Sequence, residues 1–172
     1  LKKLGIEYTI VRPAVLFGGK DILINNIAWS LRHLPIVGMP GRGKYQLQPI
    51  HVYDFAKQLA YAGEKVGKNI EVALGPERYS YVDLLNMIKK ELKLKTVIIP
   101  MPNRLAWLGA QILGYFLNDV MLTWPEVLGL RQETLWEDQE PTGKVHLREW
   151  VKKHKDTLGN EYHNELDRRR KK

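Results

Sequence analysis

Few side chains in this sequence have the type and spacing to do chemistry, and the most suggestive lie in Gln48-Pro49-Ile50-His51-Val52-Tyr53-Asp54. His51 could act as a general base only with a hydrogen-bonded partner, and the sequence identifies none. Asp54 stands at the start of a helical pattern, where a carboxylate holds a helix start or a nearby loop in place. A second candidate, Gly38-Met39-Pro40-Gly41-Arg42-Gly43-Lys44, fits the Gly-x-x-x-x-Gly-Lys spacing of a phosphate-cradling loop. There Tyr45 takes the position where a Ser or Thr must reach a magnesium ion, and strand-like residues follow, so no helix N-terminus faces a phosphate. No Gly-x-x-Gly-x-x-Gly follows a strand, which removes the other common phosphate cradle. The sequence has no cysteine, hence neither disulfides nor thiolate metal sites, and no metal site is expected. No residue is assigned a catalytic role.

The elements that position these residues are organised around Ile6–Gly19. Its β-branched and aromatic run, Ile6 to Val11, suits a buried strand. Arg12-Pro13 should stop the ladder, and a short apolar turn, Ala14 to Phe17, should end on Gly18-Gly19. Asp21 can cap a helix running to about His33. Residues 34–50 read as two short extended segments, Leu34–Met39 and Lys44–Ile50. A helix is expected from His51 to Glu64, a strand over Asn69–Leu74, and a helix over 80–93 capped by Ser80 with Asp83 in the capping-box position. Thr96–Pro100 reads as a strand, and Lys144–Leu158 as an amphipathic helix with Leu147, Val151 and Leu158 on one face.

Leu105–Leu117 is apolar on every side, and a helix of that kind is either buried or docked on a partner or membrane surface. Burial is the expectation, since the run is too short to span a bilayer. Thr123-Trp124-Pro125-Glu126 looks like another capped helix start. The 172 residues carry a formal charge of +8, and residues 161–172 hold five basic and three acidic groups. An excess so dispersed reads as a solvated surface with a solvated tail, not as a nucleic-acid footprint. The absence of cysteine favours a reducing compartment, so a cytoplasmic protein is expected, membrane-peripheral if Leu105–Leu117 docks there.

Three phrases carry a family resemblance: Leu1-Lys2-Lys3-Leu4-Gly5-Ile6-Glu7-Tyr8-Thr9-Ile10-Val11-Arg12-Pro13, then Gln48 to Ala56, then Leu74-Gly75-Pro76-Glu77 with Ser80 to Leu85. In order and spacing they resemble the extended and atypical short-chain dehydrogenase/reductases over roughly residues 1–100. The resemblance implies an α/β fold: the C-terminal part of a Rossmann-type sheet with a small mixed α/β substrate-side subdomain and a helical C-terminus. Residues 1–100 would form that part, 101–160 a helical extension and 161–172 a charged tail. The Tyr-x-x-x-Lys pair of the family would lie before Leu1, making this the C-terminal half of a larger protein and the missing N-terminal half its first partner.

By the same resemblance, NAD or NADP would be held through the parent protein, with the backbone of Pro13, Ala14, Val15 and Leu16 facing the nicotinamide. Asn25, Asn26 and Trp29, with Gln48 and His51, would be substrate-cleft residues. Sugar-nucleotide enzymes carry an Asn where Val15 stands and Arg-Asp where Leu47-Gln48 stand. Arginine clamps phosphate and leucine cannot, so a nucleotide-sugar substrate is disfavoured. The pattern is closer to the atypical branch, which includes NmrA-like proteins and the nucleotide-binding accessory subunit of respiratory complex I. Two readings stay open: the substrate-side portion of an NAD(P)-dependent oxidoreductase or epimerase-like protein, inactive as this fragment, or a non-catalytic nucleotide-binding scaffold docking through Leu105–Leu117. An edge strand at Tyr8–Val11 would need cover from self-association or from that helix.

Overall fold

The computed structural model describes residues 6–120, 123–124 and 135–170. Of the expected helix start at 123–126, residues 125–126 lie outside them. The chain runs β1 (Tyr8–Pro13), β2 (Val15–Phe17), α1 (Leu23–His33), β3 (Ile36–Pro40), β4 (Gln46–Leu47), β5 (Pro49–His51), α2 (Val52–Ala62), β6 (Lys68–Ala73), β7 (Tyr79–Ser80), α3 (Tyr81–Glu91), β8 (Val97–Met101), α4 (Asn103–Leu117), α5 (Leu147–Lys153) and α6 (Glu165–Arg170). It is a mixed α/β fold whose longer strands pair in parallel, as a partial Rossmann-type sheet requires.

β1 and β2 behave as one strand with a change of partner at Ala14. Tyr8 to Pro13 pair in parallel with Lys68 to Ala73, the Ala14 amide donates to the Ala73 carbonyl (3.2 Å), and Val15 to Phe17 then pair in parallel with Pro49 to His51. This corrects two expectations. The ladder continues through Arg12 and Pro13, because a proline at a strand's end costs only the amide it lacks, and the segment Ala14–Phe17 is mostly strand, with Val15 and Phe17 buried. Among the described residues β1 pairs on one edge only, and α4 packs on β3, so helix 105–117 is not the cover expected for it.

The caps read from sequence do their work. Asp21 accepts the Ile24 and Asn25 amides (2.9 and 3.1 Å) at the start of α1. Ser80 accepts the Asp83 amide (3.2 Å) and donates to the Asp83 carboxylate at the start of α3. One buried cluster, with Phe17, Ile24, Leu31, Leu84, Ile88, Leu147 and Val151, draws on residues either side of position 100. α5 is shorter than expected, Leu147–Lys153; Leu147 and Val151 are buried on its predicted face, and Leu158 is buried in the turns beyond its end.

α4 departs most from expectation. Ala106 and Gly114 are buried, but Leu105, Leu108, Ile112, Tyr115 and Phe116 are exposed, the last two by 82% and 76%. At 3.6 residues per turn these five share about a third of the circumference. A helix apolar all round fills its inner face with core and leaves the outer face apolar and in solvent.

Candidate functional site

The stretch with the strongest motif content is built around the β5–α2 junction. His51 caps α2, its Nδ1 accepting the Tyr53 amide (3.2 Å). That bond places the proton of the neutral ring on Nε2. Phe17 meets the ring edge-on at 5.1 Å, and a Cβ added to Gly18 would lie 2.5 Å from Nε2. Gly18, at φ +105°, is therefore the residue type that lets the chain pass there. Burial pushes the His51 pKa below its ordinary value, helped by His154 and opposed by Asp54 and Asp21. The imidazole thus serves as a helix cap and packs against Phe17.

Asp54 holds a loop, one of the roles read for it. Its Oδ2 accepts the amides of Lys144 (2.7 Å) and Val145 (2.9 Å). Gln48, 4% exposed, donates from Nε2 to the Gly75 carbonyl (2.9 Å), while Oε1 has no partner among the described residues. Gly75 is required where β6 ends against β5, because a Cβ there would sit 1.6 Å from the Pro49 carbonyl oxygen.

Asn25, Asn26 and Trp29, expected in a cleft, contact the C-terminal segment. Asn25 donates to the Glu161 carbonyl (2.8 Å) and accepts the Gly159 amide (3.1 Å). Asn26 exchanges two bonds with the His163 backbone, each 2.9 Å. Trp29 stacks on His33 and meets Tyr162 edge-on. The segment 161–168 is thus docked rather than a solvated tail. Asp119, which motif reasoning passed over, completes the clasp by accepting the Tyr162 hydroxyl (2.7 Å) and the amides of Glu165 and Leu166 (3.1 and 3.3 Å). Burial opposes its charge, but these bonds prevail and hold its pKa below the ordinary value. The contact spans 43 residues, which no local pattern reports.

A concave feature among the described residues lies elsewhere, between α1, β3, α3 and α4. This cavity of about 400 Å³ is walled by Ile27, Leu34, Val37, Leu85 and Leu113, with Tyr45 and Tyr81 stacked at 5.0 Å on it. Of the residues proposed from sequence for a cofactor or cleft, Asn26 alone lines it. Pro13, Ala14, Val15 and Leu16 do not. What they can offer a cofactor is the exposed face of Pro13 and the half-buried backbone beside it, with the Ala14 amide already committed to Ala73. The Gly38–Lys44 segment runs from β3 through turns into β4 and starts no helix, as its sequence indicated. Among the described residues no group of His, Asp or Glu could hold a metal ion, and no helix is long and apolar enough to cross a membrane.

No family profile matches the chain. The curated protein "NADH dehydrogenase [ubiquinone] 1 alpha subcomplex subunit 9, mitochondrial" of Arabidopsis thaliana is 25% identical over 132 residues, which are 73% of this chain and 33% of that protein. Its Dictyostelium discoideum namesake is 29% identical over 82 residues, 46% of this chain and 23% of that one. Among solved structures, a nucleoside-diphosphate-sugar epimerase from Staphylococcus aureus aligns with a TM-score of 0.61 at 16% identity, covering 88% of this chain and 54% of that one. The UDP-glucuronic acid 4-epimerase of Bacillus cereus, in complex with UDP-glucuronic acid and NAD, aligns with a TM-score of 0.58 at 13% identity, covering 91% and 46%. The chain spans a third or less of the curated relatives it matches and about half of these structures. The likenesses accord with the family resemblance of the opening phrases and show the Rossmann-type epimerase fold.

Proposed function

We propose that this chain is the substrate-side portion of an NAD(P)-dependent protein of the short-chain dehydrogenase/reductase kind. The observation that carries the reading is the fold match over about nine tenths of the chain to epimerases, one of them crystallised with NAD, together with the three sequence phrases in the family's order. Pro13 to Leu16 would meet the nicotinamide, and the phosphates would be held by a further segment of the protein. Titration calorimetry with NADH and NADPH tests this. A longer protein containing this chain binds one of them, the 172-residue chain alone binds neither tightly, and no dinucleotide binding by the longer protein would overturn the reading.

Specific observations favour the accessory-subunit form of this reading over turnover. His51 Nδ1, Asp54 Oδ2 and the amides of Asn25 and Asn26 accept from or donate to backbone, which ties these side chains to structural partners. The curated relatives are named as subunits of a mitochondrial NADH dehydrogenase, and that name outweighs the cytoplasmic expectation for the compartment. The outer stripe of α4 would be the contact with a larger assembly, since an exposed apolar patch of that length marks an interaction surface. Co-purification of the longer protein with a stable complex, lost on Leu108→Glu, supports this form. A monomer turning over NADH with a carbonyl substrate would overturn it.

A further inference from the structure

The cavity beside α4 has a chemistry of its own. At about 400 Å³ it lies in the size range of small-ligand sites. Among the described residues no Lys, Arg or His lines it, and the carboxylates that do are Asp119 and Glu165. Asp119 stays ionised through the Tyr162 hydroxyl and the backbone amides it accepts. Burial pushes the Tyr81 phenol up to about 12 and the Tyr45 phenol higher still, so both remain neutral. A phosphate or carboxylate head would meet negative charge with no arginine or lysine to clamp it.

The walls point the same way. A cavity of about 150 Å³ lined by aliphatic side chains already stays dry and takes apolar guests. On the α4 side Ala106, Gly109, Ala110 and Leu113 line it, and at Gly109, exposed on its rim, a built Cβ meets nothing within 4 Å. Leu23, Ile36 and Val120 line the cavity and are themselves exposed, so it opens to solvent.

We propose that this cavity binds one neutral aliphatic chain, the acyl or isoprenoid part of a lipid, between α1 and α4. The proposal stands on the cavity and not on the NAD(P) reading, and the two are tested with different ligands.

The test is equilibrium binding of the purified chain to the fluorescent methyl ester of cis-parinaric acid, with methyl palmitate and farnesol as competitors. Saturable binding displaced by methyl palmitate assigns an acyl chain, and displacement by farnesol an isoprenoid; displacement by neither overturns the proposal. Gly109→Phe places a bulky ring at the rim of the cavity and should weaken binding by at least about tenfold, a difference of about 1.4 kcal/mol. Gly109→Leu makes the same test with a smaller insertion should the phenylalanine variant not fold, helix content being checked by circular dichroism. The double variant Tyr115→Ser/Phe116→Ser on the outer face of α4 should leave binding unchanged. Absence of saturable binding, binding that survives substitution at Gly109, or binding lost with the outer-face variant would each overturn the proposal.

Discussion

At the β5–α2 corner polar side chains are bound to backbone and Leu47 and Ile50 are buried, while the flank between α1 and α4 keeps an apolar cavity inside and an apolar stripe outside. The corner holds the family-like motif and His51, Asp54 and Gln48, yet each of these secures a strand end, a helix start or a distant loop. The flank holds no motif, and no cation among the described residues lining its cavity, yet it has both a concave space and an uncovered surface. Residue types that can do chemistry are also those that can satisfy buried backbone groups, and here the second use has claimed them.

The largest effect that would separate the two regions is at Gly75. Gly75→Ala drives a methyl group into the Pro49 carbonyl, and a backbone clash of that kind costs about 4 kcal/mol or more. Urea unfolding should show little or no folded protein, and a variant as stable as the parent would mean that β5 and β6 do not meet as described. Asp54→Ala comes next. It strips the Lys144 and Val145 amides of their acceptor and should cost about 1–3 kcal/mol. Full stability of this variant would return Asp54 to the list of groups free for function.

How far the sequence foretold each region follows from the range of the contacts involved. Asp21 and Ser80 were readable as caps because their partners lie three or four residues away. The strand at Asn69–Leu74 and the inward face of Leu147 and Val151 were readable from periodicity. The bonds of Asp54 across 90 residues, Asn25 across 136 and Asp119 across 43 have no local signature. α4 was misjudged for a different reason. Apolar residues occupy most of its circumference, so their pattern does not mark which face lies inward, and burial was expected where Leu105, Leu108, Ile112, Tyr115 and Phe116 are exposed.

On that outer stripe, Phe116→Ser should change stability by no more than about 0.5 kcal/mol, as exposed positions do. It should also lower any concentration-dependent association seen by light scattering. A loss of about 3 kcal/mol or more would show that Phe116 is covered as a core residue is. The smallest effect is expected at His51. Its folded pKa lies below the ordinary 6.5 because burial disfavours the imidazolium. The unfolded chain therefore takes up the proton first, so the contribution of His51 is complete above that value and is lost as pH falls through it towards the folded pKa. His51→Asn keeps a side-chain acceptor for the Tyr53 amide and should flatten the acid side of a thermal-melt profile. An unchanged profile would mean that the ring is not desolvated.

The division between a structural corner and a binding flank is tested most directly by amide chemical shifts, followed by two-dimensional NMR as the methyl ester of cis-parinaric acid is titrated into the chain. The account predicts saturable shifts at Val37, Gly38, Gly109, Ala110 and Leu113, with Gly18, His51, Tyr53 and Asp54 unmoved. Shifts centred on Gly18 and His51 with the α4 amides still would contradict it.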